Sequence, residues 1–292
     1  MEIKELASVG GKTTMRIGGQ ARYYAEPETP ADVERLVRFA TEKNLPLIPL
    51  GSGANTVFTD GVVEAVVFRV KPATAETNGN TVVVSGGKNL AMLINELAKQ
   101  DLDLSALTGI PGTMGGAIFG NAGQGAGGTW LDTYVVDVTA FIDGRWKTLA
   151  KEECHFRYRE SLFKDLAKGA AIPPVIWKAT LSVPSRPRAD VEAEVQRLLR
   201  KRIETQPHLK TAGSCFKTVG DTPAWKLVDA AGLRGLRVGD AEVAEKHANF
   251  LLNKGNATYA DLKKLVETIR EKVPTHLEVE MRFIEPDGSL AF

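Results

Sequence analysis

The sequence predicts an α+β fold in three parts, and three observations carry that reading. Apolar runs suited to strands alternate with helical periodicities along the whole chain. Two glycine-rich segments, at 51–55 and within 104–131, interrupt the first two thirds. Two prolines in the four residues Pro184-Ser185-Arg186-Pro187 then separate a long first part from a shorter last one. The 292 residues have room for two or three domains at roughly 100–200 residues each. The expected divisions are a first lobe over 1–70, a second lobe over 71–185 and a final α+β domain over 186–292.

The elements follow in order. Thr29-Pro30-Ala31-Asp32 starts a helix with a capping hydroxyl, a proline at the first helical position and an acid in the first turn. Val33, Leu36, Val37 and Ala40 follow at helical spacing. Leu47 to Leu50 is a short apolar run ending at a glycine-rich turn, and Ala65 to Val70 reads as a buried strand. Asn78-Gly79 before Thr81-Val82-Val83-Val84 signals a hairpin. A helix over Asn89 to Lys99 places Leu90, Leu93, Ile94 and Leu97 on one face. A second hairpin joins Tyr134–Ile142 to Arg145–Leu149 through Asp143-Gly144, and Ile172 to Val183 contains one more strand. Beyond the prolines, a charged helix runs from Ala189 to about Glu204. Thr258 and Asp261 open a further helix in the manner of a capping box, with Leu262, Leu265, Val266 and Ile269 as its apolar stripe. Leu277 to Ile284 reads as a last strand.

Composition removes several functions. Hydrophobic residues at 43 % and charged residues at 25 % are values of a folded globular chain. Thirty-seven basic residues face 36 acidic ones, which argues against nucleic-acid and anionic-membrane partners. Cys154 and Cys215 lie far apart, so no disulfide framework is expected. Together with an N-terminus lacking an apolar signal core, this points to the cytoplasm. The four histidines lack metal-ligand spacing, and no metal is expected. From Leu104 to Leu131, 28 residues carry no charge, but nine glycines, Pro111, Asn121 and Gln124 rule out a membrane helix.

Five segments offer chemistry. Gly51-Ser52-Gly53-Ala54-Asn55 follows a strand, and its glycines let successive N–H groups converge on a phosphate. A tight surface turn is the plainer alternative. Gly109-Ile110-Pro111-Gly112-Thr113-Met114-Gly115-Gly116-Ala117, continuing to Asn121-Ala122, is costly in chain entropy, a cost more easily explained if backbone lies against a ligand. Two such loops suggest a large cofactor bearing a pyrophosphate. In Phe156-Arg157-Tyr158-Arg159, the arginines suit a carboxylate or phosphate, or else a surface ion pair. In Ala212-Gly213-Ser214-Cys215-Phe216-Lys217, Ser214 has no local histidine to make it a nucleophile. Alternation over Leu277 to Phe283 puts Glu278 and Glu280 on one face, where burial would favour a protonated carboxyl and exposure a solvated pair.

Taken together, these segments resemble the UDP-N-acetylenolpyruvoylglucosamine reductase family, the MurB flavoenzymes. The likeness runs through Thr13 to Ala21, Leu50 to Asn55, Gly109 to Gly116, Asn121 to Gly123, Phe156 to Lys164, Ala212 to Lys217, Lys246 to Phe250 and Leu277 to Ile284. It implies a two-lobed FAD-binding domain of the vanillyl-alcohol-oxidase (PCMH) type followed by a substrate domain. It implies non-covalent FAD along both glycine loops, NADPH as reductant and a UDP-sugar as substrate. Arg159, Ser214 and Glu280 match the family's catalytic positions. The family's Lys-Asn-Pro after the serine is here Lys217-Thr218-Val219, which makes Lys217 and Thr218 the corresponding substrate positions. The chain is similar to a compact form without an inserted tyrosine loop, so Arg202 and its neighbours become candidates to cover the UDP diphosphate, against a merely solvated basic face. A monomer is expected. An oxidase of the same fold, or a non-catalytic flavin-binding regulator, are the competing readings.

Overall fold

The computed structural model describes residues 1–123 and 128–292. Gln124, named above in the uncharged stretch, lies outside the described residues. In chain order the first elements are β1 (Ile3–Ser8), β2 (Gln20–Ala25), α1 (Pro30–Glu42), β3 (Leu47–Pro49), β4 (Thr56–Phe58), β5 (Val62–Phe68), β6 (Ala75–Asn78), β7 (Thr81–Ser85), α2 (Leu90–Ala98), α3 (Met114–Phe119), β8 (Val135–Ile142) and β9 (Arg145–Ala150). They continue with α4 (Leu162–Ala167), β10 (Val175–Ser182), α5 (Arg188–Thr205), α6 (Ala224–Ala230), β11 (Arg237–Val238), β12 (Ala241–Val243), β13 (Leu251–Asn253), α7 (Tyr259–Lys272) and β14 (Arg282–Ile284). The chain forms two compact units that interleave along the sequence. The first comprises Met1–Ile3, Tyr24–Gly51 and Val66–Lys201. The second comprises Lys4–Tyr23, Ser52–Ala65 and Arg202–Phe292.

The first unit is built on a five-stranded sheet of order β6-β7-β10-β8-β9. The Asn78-Gly79 hairpin closes with Asn78 opposite Thr81. In the second hairpin Asp143 (φ 50°) and Gly144 (φ 77°) are both left-handed, the backbone a tight two-residue hairpin demands. Helix α2 is capped by the Asn89 side chain, which accepts from Met92 N at 3.0 Å. It buries Leu90, Leu93, Ile94 and Leu97 in one core with Val82, Val84, Ala179 and Leu181 of the sheet. Each such leucine contributes about 1.5–3 kcal/mol by leaving water. Helix α1 carries the expected capping box between Thr29 and Asp32.

Helix α3 lies inside the stretch that reads as loop from sequence. Its two glycines weaken helical propensity. The Thr113 cap and the burial of Met114 and Ile118 override that weakness.

In the second unit, α7 carries its capping box between Thr258 and Asp261. Its stripe of Leu262, Leu265, Val266 and Ile269 packs in one core with Met15, Ile17, Val57, Cys215, Phe216 and Phe283. Strands β11, β12 and β13 form a small antiparallel sheet, and β14 pairs in parallel with β4. The strand expected over Leu277 to Ile284 is regular only as β14. Its earlier half pairs through one bridge, Val279 with Phe216, because the partner segment around Phe216 is itself irregular. No helix among the described residues is long and apolar enough to cross a membrane.

Candidate active site

In the first unit, the turn ending at Gly51 and the loop ending at Thr113 meet. A Cβ on Gly51 would lie 2.7 Å from Thr113 Oγ1, so only glycine permits that approach. Arg69 Nε fixes the turn by donating to the Gly51 carbonyl at 2.8 Å. Along Gly109-Ile110-Pro111-Gly112, Gly109 (φ 82°) and Gly112 (φ 128°) hold backbone that side chains avoid. The space beside Gly112 is open, with no atom within 4 Å of a Cβ built there. Thr113 caps α3, accepting from Gly116 N at 3.4 Å. Met114 N donates to Lys88 O and Gly115 N to Gly86 O, each at 2.8 Å. The first-turn N–H groups of α3 are therefore engaged with protein. What the loop presents to a ligand is a face stripped of side chains at Gly112 and Gly116, which fits a cofactor lying close against backbone. Ala117 is buried in the core behind it.

Asn121 and Ala122 serve the neighbouring segments. Asn121 Nδ2 donates to Arg157 O at 3.1 Å, and its Oδ1 accepts from Asp132 N at 3.2 Å. Ala122 O accepts from Leu131 N at 2.9 Å. Asn121 thereby braces the turn that carries Arg159. Arg159 itself has left-handed backbone (φ 57°). Its Nη1 donates to Gly123 O at 3.2 Å. Its guanidinium lies 5.1 Å from the Trp130 ring centre and 5.8 Å from that of Tyr158. Trp130 and Tyr158 pack edge to face at 5.4 Å. Such cation–π contacts are worth about 0.5–2 kcal/mol apiece and restrict the guanidinium before any anion arrives. Ser161 closes the turn, with its hydroxyl donating to Phe119 O at 2.7 Å.

In the second unit, Ser214 and Glu280 sit on neighbouring backbones. Glu280 N donates to Cys215 O at 2.7 Å, and Lys217 N donates to Glu278 O at 2.9 Å. On the other side, Cys215 N donates to Asn249 O at 2.8 Å. The buried Asn249 amide brackets the next residue: Phe216 N donates to its Oδ1, and its Nδ2 donates to Phe216 O, both at 2.9 Å. Losing that amide would strand two buried backbone groups at about 1–3 kcal/mol each. Ser214 bridges to Phe250 and is half-buried, as is Glu280. Burial pushes the Cys215 thiol up, and the negative charge of Glu280 adds to the push. The fully buried thiol is a packing group, not a reactive one. Lys217 Nζ reaches Glu278 at 2.7 Å, so the exposed carboxylate of the pair is matched by a lysine.

The glycine turn contributes here too. Gly53 (φ 66°) packs so closely that a Cβ would stand 2.5 Å from Lys12 O. Its carbonyl accepts from Thr14 N at 3.0 Å. Asn55 Nδ2 donates to Glu280 O at 3.0 Å.

Residues 21–144 match the profile of an FAD binding domain, and residues 206–284 match that of the UDP-N-acetylenolpyruvoylglucosamine reductase C-terminal domain. The UDP-N-acetylenolpyruvoylglucosamine reductase of Clostridium novyi is 34 % identical over 97 % of this chain and 92 % of its own length. This chain belongs to the UDP-N-acetylenolpyruvoylglucosamine reductase family. The reductase of a Bradyrhizobium species is 38 % identical over 94 % of this chain and 89 % of its own. The crystal structure of UDP-N-acetylenolpyruvylglucosamine reductase (MurB) from Thermus caldophilus superposes with a TM-score of 0.84 at 31 % identity, covering 97 % of this chain and 99 % of that one. Like its family, the chain is an FAD-dependent oxidoreductase with an α+β FAD-binding domain and a C-terminal MurB domain.

The structure sorts the residues singled out in the sequence. Gly51, Gly109, Ile110, Pro111, Gly112, Thr113, Gly115, Gly116, Ala117, Asn121, Ala122 and Arg159 fall in the first unit. Ser52, Gly53, Ala54, Asn55, Arg202, Ser214, Lys217, Thr218 and Glu280 fall in the second. Arg202 lies near the end of α5, where its charge, with that of Arg234, helps hold the half-buried His247 below its ordinary value, after burial as the main cause. Two residues that hold these segments were not singled out as site residues, Trp130 and Asn249, whereas Asn55 was named for the cofactor and its side chain instead bonds Glu280 O. Trp130 had no spacing relation to Arg159. Asn249 lay within a quoted motif, but nothing local reveals which backbone its amide brackets.

Proposed function

We propose that this chain reduces UDP-N-acetylglucosamine enolpyruvate to UDP-N-acetylmuramate, with NADPH as reductant and non-covalently bound FAD. The observation that carries the reading is the pairing of the Ser214-Cys215 and Glu280 backbones, which joins the segment bearing the hydroxyl to the segment bearing the carboxyl within a MurB C-terminal domain. When bound, FAD would supply hydride transfer from NADPH to the enolpyruvyl group. The glycine face at Gly112 and Gly116, and Gly51 beside Thr113, are the backbone that would hold the cofactor.

The remaining chemistry falls to side chains. Addition at C3 leaves negative charge on the carbons and carboxylate beyond it. Arg159, held in place by Trp130 and Tyr158, supplies a fixed positive charge to that enolate. Glu280, protonated once the anionic substrate stands beside it, donates a hydrogen bond to the same charge. Ser214 gives the hydroxyl proton to C2, which completes the saturated lactyl ether, and the alkoxide left behind takes a replacement proton from water. A serine without a histidine partner suits this task, because it donates a proton and attacks nothing. Lys217 and Thr218 follow the serine and would contact the substrate, and Arg202 would approach the diphosphate. The reading takes the chain as a cytoplasmic monomer acting on soluble small molecules.

The test is an anaerobic spectrum of the purified protein before NADPH, after NADPH, and after UDP-N-acetylglucosamine enolpyruvate. The reading predicts flavin bands that bleach with NADPH and return with the enolpyruvyl sugar. Bound flavin that the sugar fails to reoxidise would contradict it and favour an oxidase or a regulator.

A further inference from the structure

Asn55 lies in the turn that the sequence reads as a phosphate cradle, yet its side chain points to another task. Strand β14 runs parallel to β4, with Arg282 opposite Thr56. Asn55 immediately precedes β4. Its carbonyl accepts from Arg282 N at 2.9 Å, so the ladder extends one residue beyond the strand. Its Nδ2 then donates to Glu280 O at 3.0 Å, two residues earlier on the same partner segment. The amide side chain thus supplies a donor where β4 has no further backbone to offer.

Glu280 is the residue this fixes. Its N–H is held by Cys215 O at 2.7 Å and its C=O by Asn55 Nδ2 at 3.0 Å. Both peptide groups flanking its Cα are therefore pinned, outside any regular strand. The turn bearing Asn55 is anchored in its own right, since the Gly53 carbonyl accepts from Thr14 N at 3.0 Å and from Thr14 Oγ1 at 3.2 Å. A continuous set of bonds runs from that turn through Asn55 and Glu280 to Cys215, next to Ser214.

We propose that the Asn55 side chain is a positioning residue for Glu280, setting where its carboxyl stands relative to Ser214. The proposal rests on the reading of Glu280 as the acid that stabilises the substrate enolate. The residue type fits: aspartate at this position has no N–H to donate, and serine is too short to span from the turn.

The experiment compares Asn55→Ala, Asn55→Asp and Glu280→Gln, singly and as Asn55→Ala with Glu280→Gln. FAD content is read by absorbance, and the two half-reactions are followed separately by stopped flow across pH. Asn55→Ala and Asn55→Asp should keep about one FAD per chain and reduction by NADPH within about twofold of wild type, while reoxidation by the enolpyruvyl sugar slows about tenfold, the factor one lost hydrogen bond gives. The pH profile of reoxidation should shift, and Asn55→Ala should add nothing in the Glu280→Gln background. Loss of FAD, equal slowing of both half-reactions, or a full effect of Asn55→Ala on top of Glu280→Gln would overturn the proposal. If Glu280→Gln alone leaves reoxidation unaltered, the reading of Glu280 fails first and takes the proposal with it. Asn55→Asp preserves the shape of the side chain and carries the test if Asn55→Ala does not fold.

Discussion

Arg159 in the first unit is held through its side chain, whereas Glu280 in the second is held through its backbone. The guanidinium of Arg159 is stacked by Trp130 and Tyr158 and tied to the Gly123 carbonyl. The peptide groups of Glu280 are tied to Cys215 and Asn55, and the adjoining Ser214 segment is bracketed by Asn249. The first arrangement pre-aims a charge and tolerates graded loss, since each contact is worth about 1 kcal/mol. The second fixes Cα positions on irregular segments, so its failure would displace Glu280 and Ser214 together. The glycines divide in the same way. Gly112 faces open space, where a ligand would have room, whereas Gly53 faces the Lys12 carbonyl and serves the fold.

The largest expected effect comes from Ser214→Ala. It should cut steady-state turnover by about 10³-fold, within the range for a lost general acid. FAD content should stay at wild-type level. The glycine contrast gives the next test. Gly112→Ala should weaken FAD binding by about 30-fold, because the added methyl enters the face a ligand would use and the backbone at φ 128° resists a side chain. Its urea midpoint should drop only slightly. Gly53→Ala should reverse the pattern, costing about 2–3 kcal/mol of stability because its Cβ has no room. If both variants behave alike, the division of glycines into ligand-facing and fold-facing is wrong.

These contrasts bear on what could be read from sequence. The hairpins at Asn78-Gly79 and Asp143-Gly144 and the caps at Thr29, Asn89 and Thr258 were legible, because turn and cap chemistry is local. The two glycine loops were legible for a similar reason: a missing Cβ is visible in the residue name. Helix α3 was not, since a buried cap and core contacts outweighed its glycines. The clamp on Glu280 was not legible either. Asn55, Asn249 and Cys215 meet there only after long-range folding, and an asparagine that completes a strand ladder looks like any other in the sequence. The roles proposed for Ser214, Arg159 and Glu280 come from family resemblance, because neither charge nor spacing singles out a serine with no histidine beside it.

Two smaller effects sharpen the comparison. Trp130→Ala should lower turnover about fivefold by loosening Arg159, the value of one cation–π contact. Trp130→Phe should recover most of it in the same steady-state assay. A larger loss than that of Arg159→Ala would mean that Trp130 has a separate task. The smallest effect concerns pH. Burial, aided by the charges of Arg234 and Arg202, holds His247 below the ordinary histidine value of 6.5. The folded chain therefore binds this proton less readily than the unfolded one. Its contribution to stability is present above pH 6.5 and fades as pH falls below that value. Urea midpoints from about pH 7.5 down to about pH 5 should fall less steeply in His247→Gln than in the wild type. Equal slopes would show that His247 does not carry this dependence.

The most direct test of the account separates the two half-reactions of Ser214→Ala under anaerobic conditions. The account predicts flavin reduction by NADPH within about twofold of wild type and reoxidation by UDP-N-acetylglucosamine enolpyruvate slowed about 10³-fold. Equal slowing of both steps, or reoxidation at the wild-type rate, would contradict the assignment of Ser214 as the proton donor.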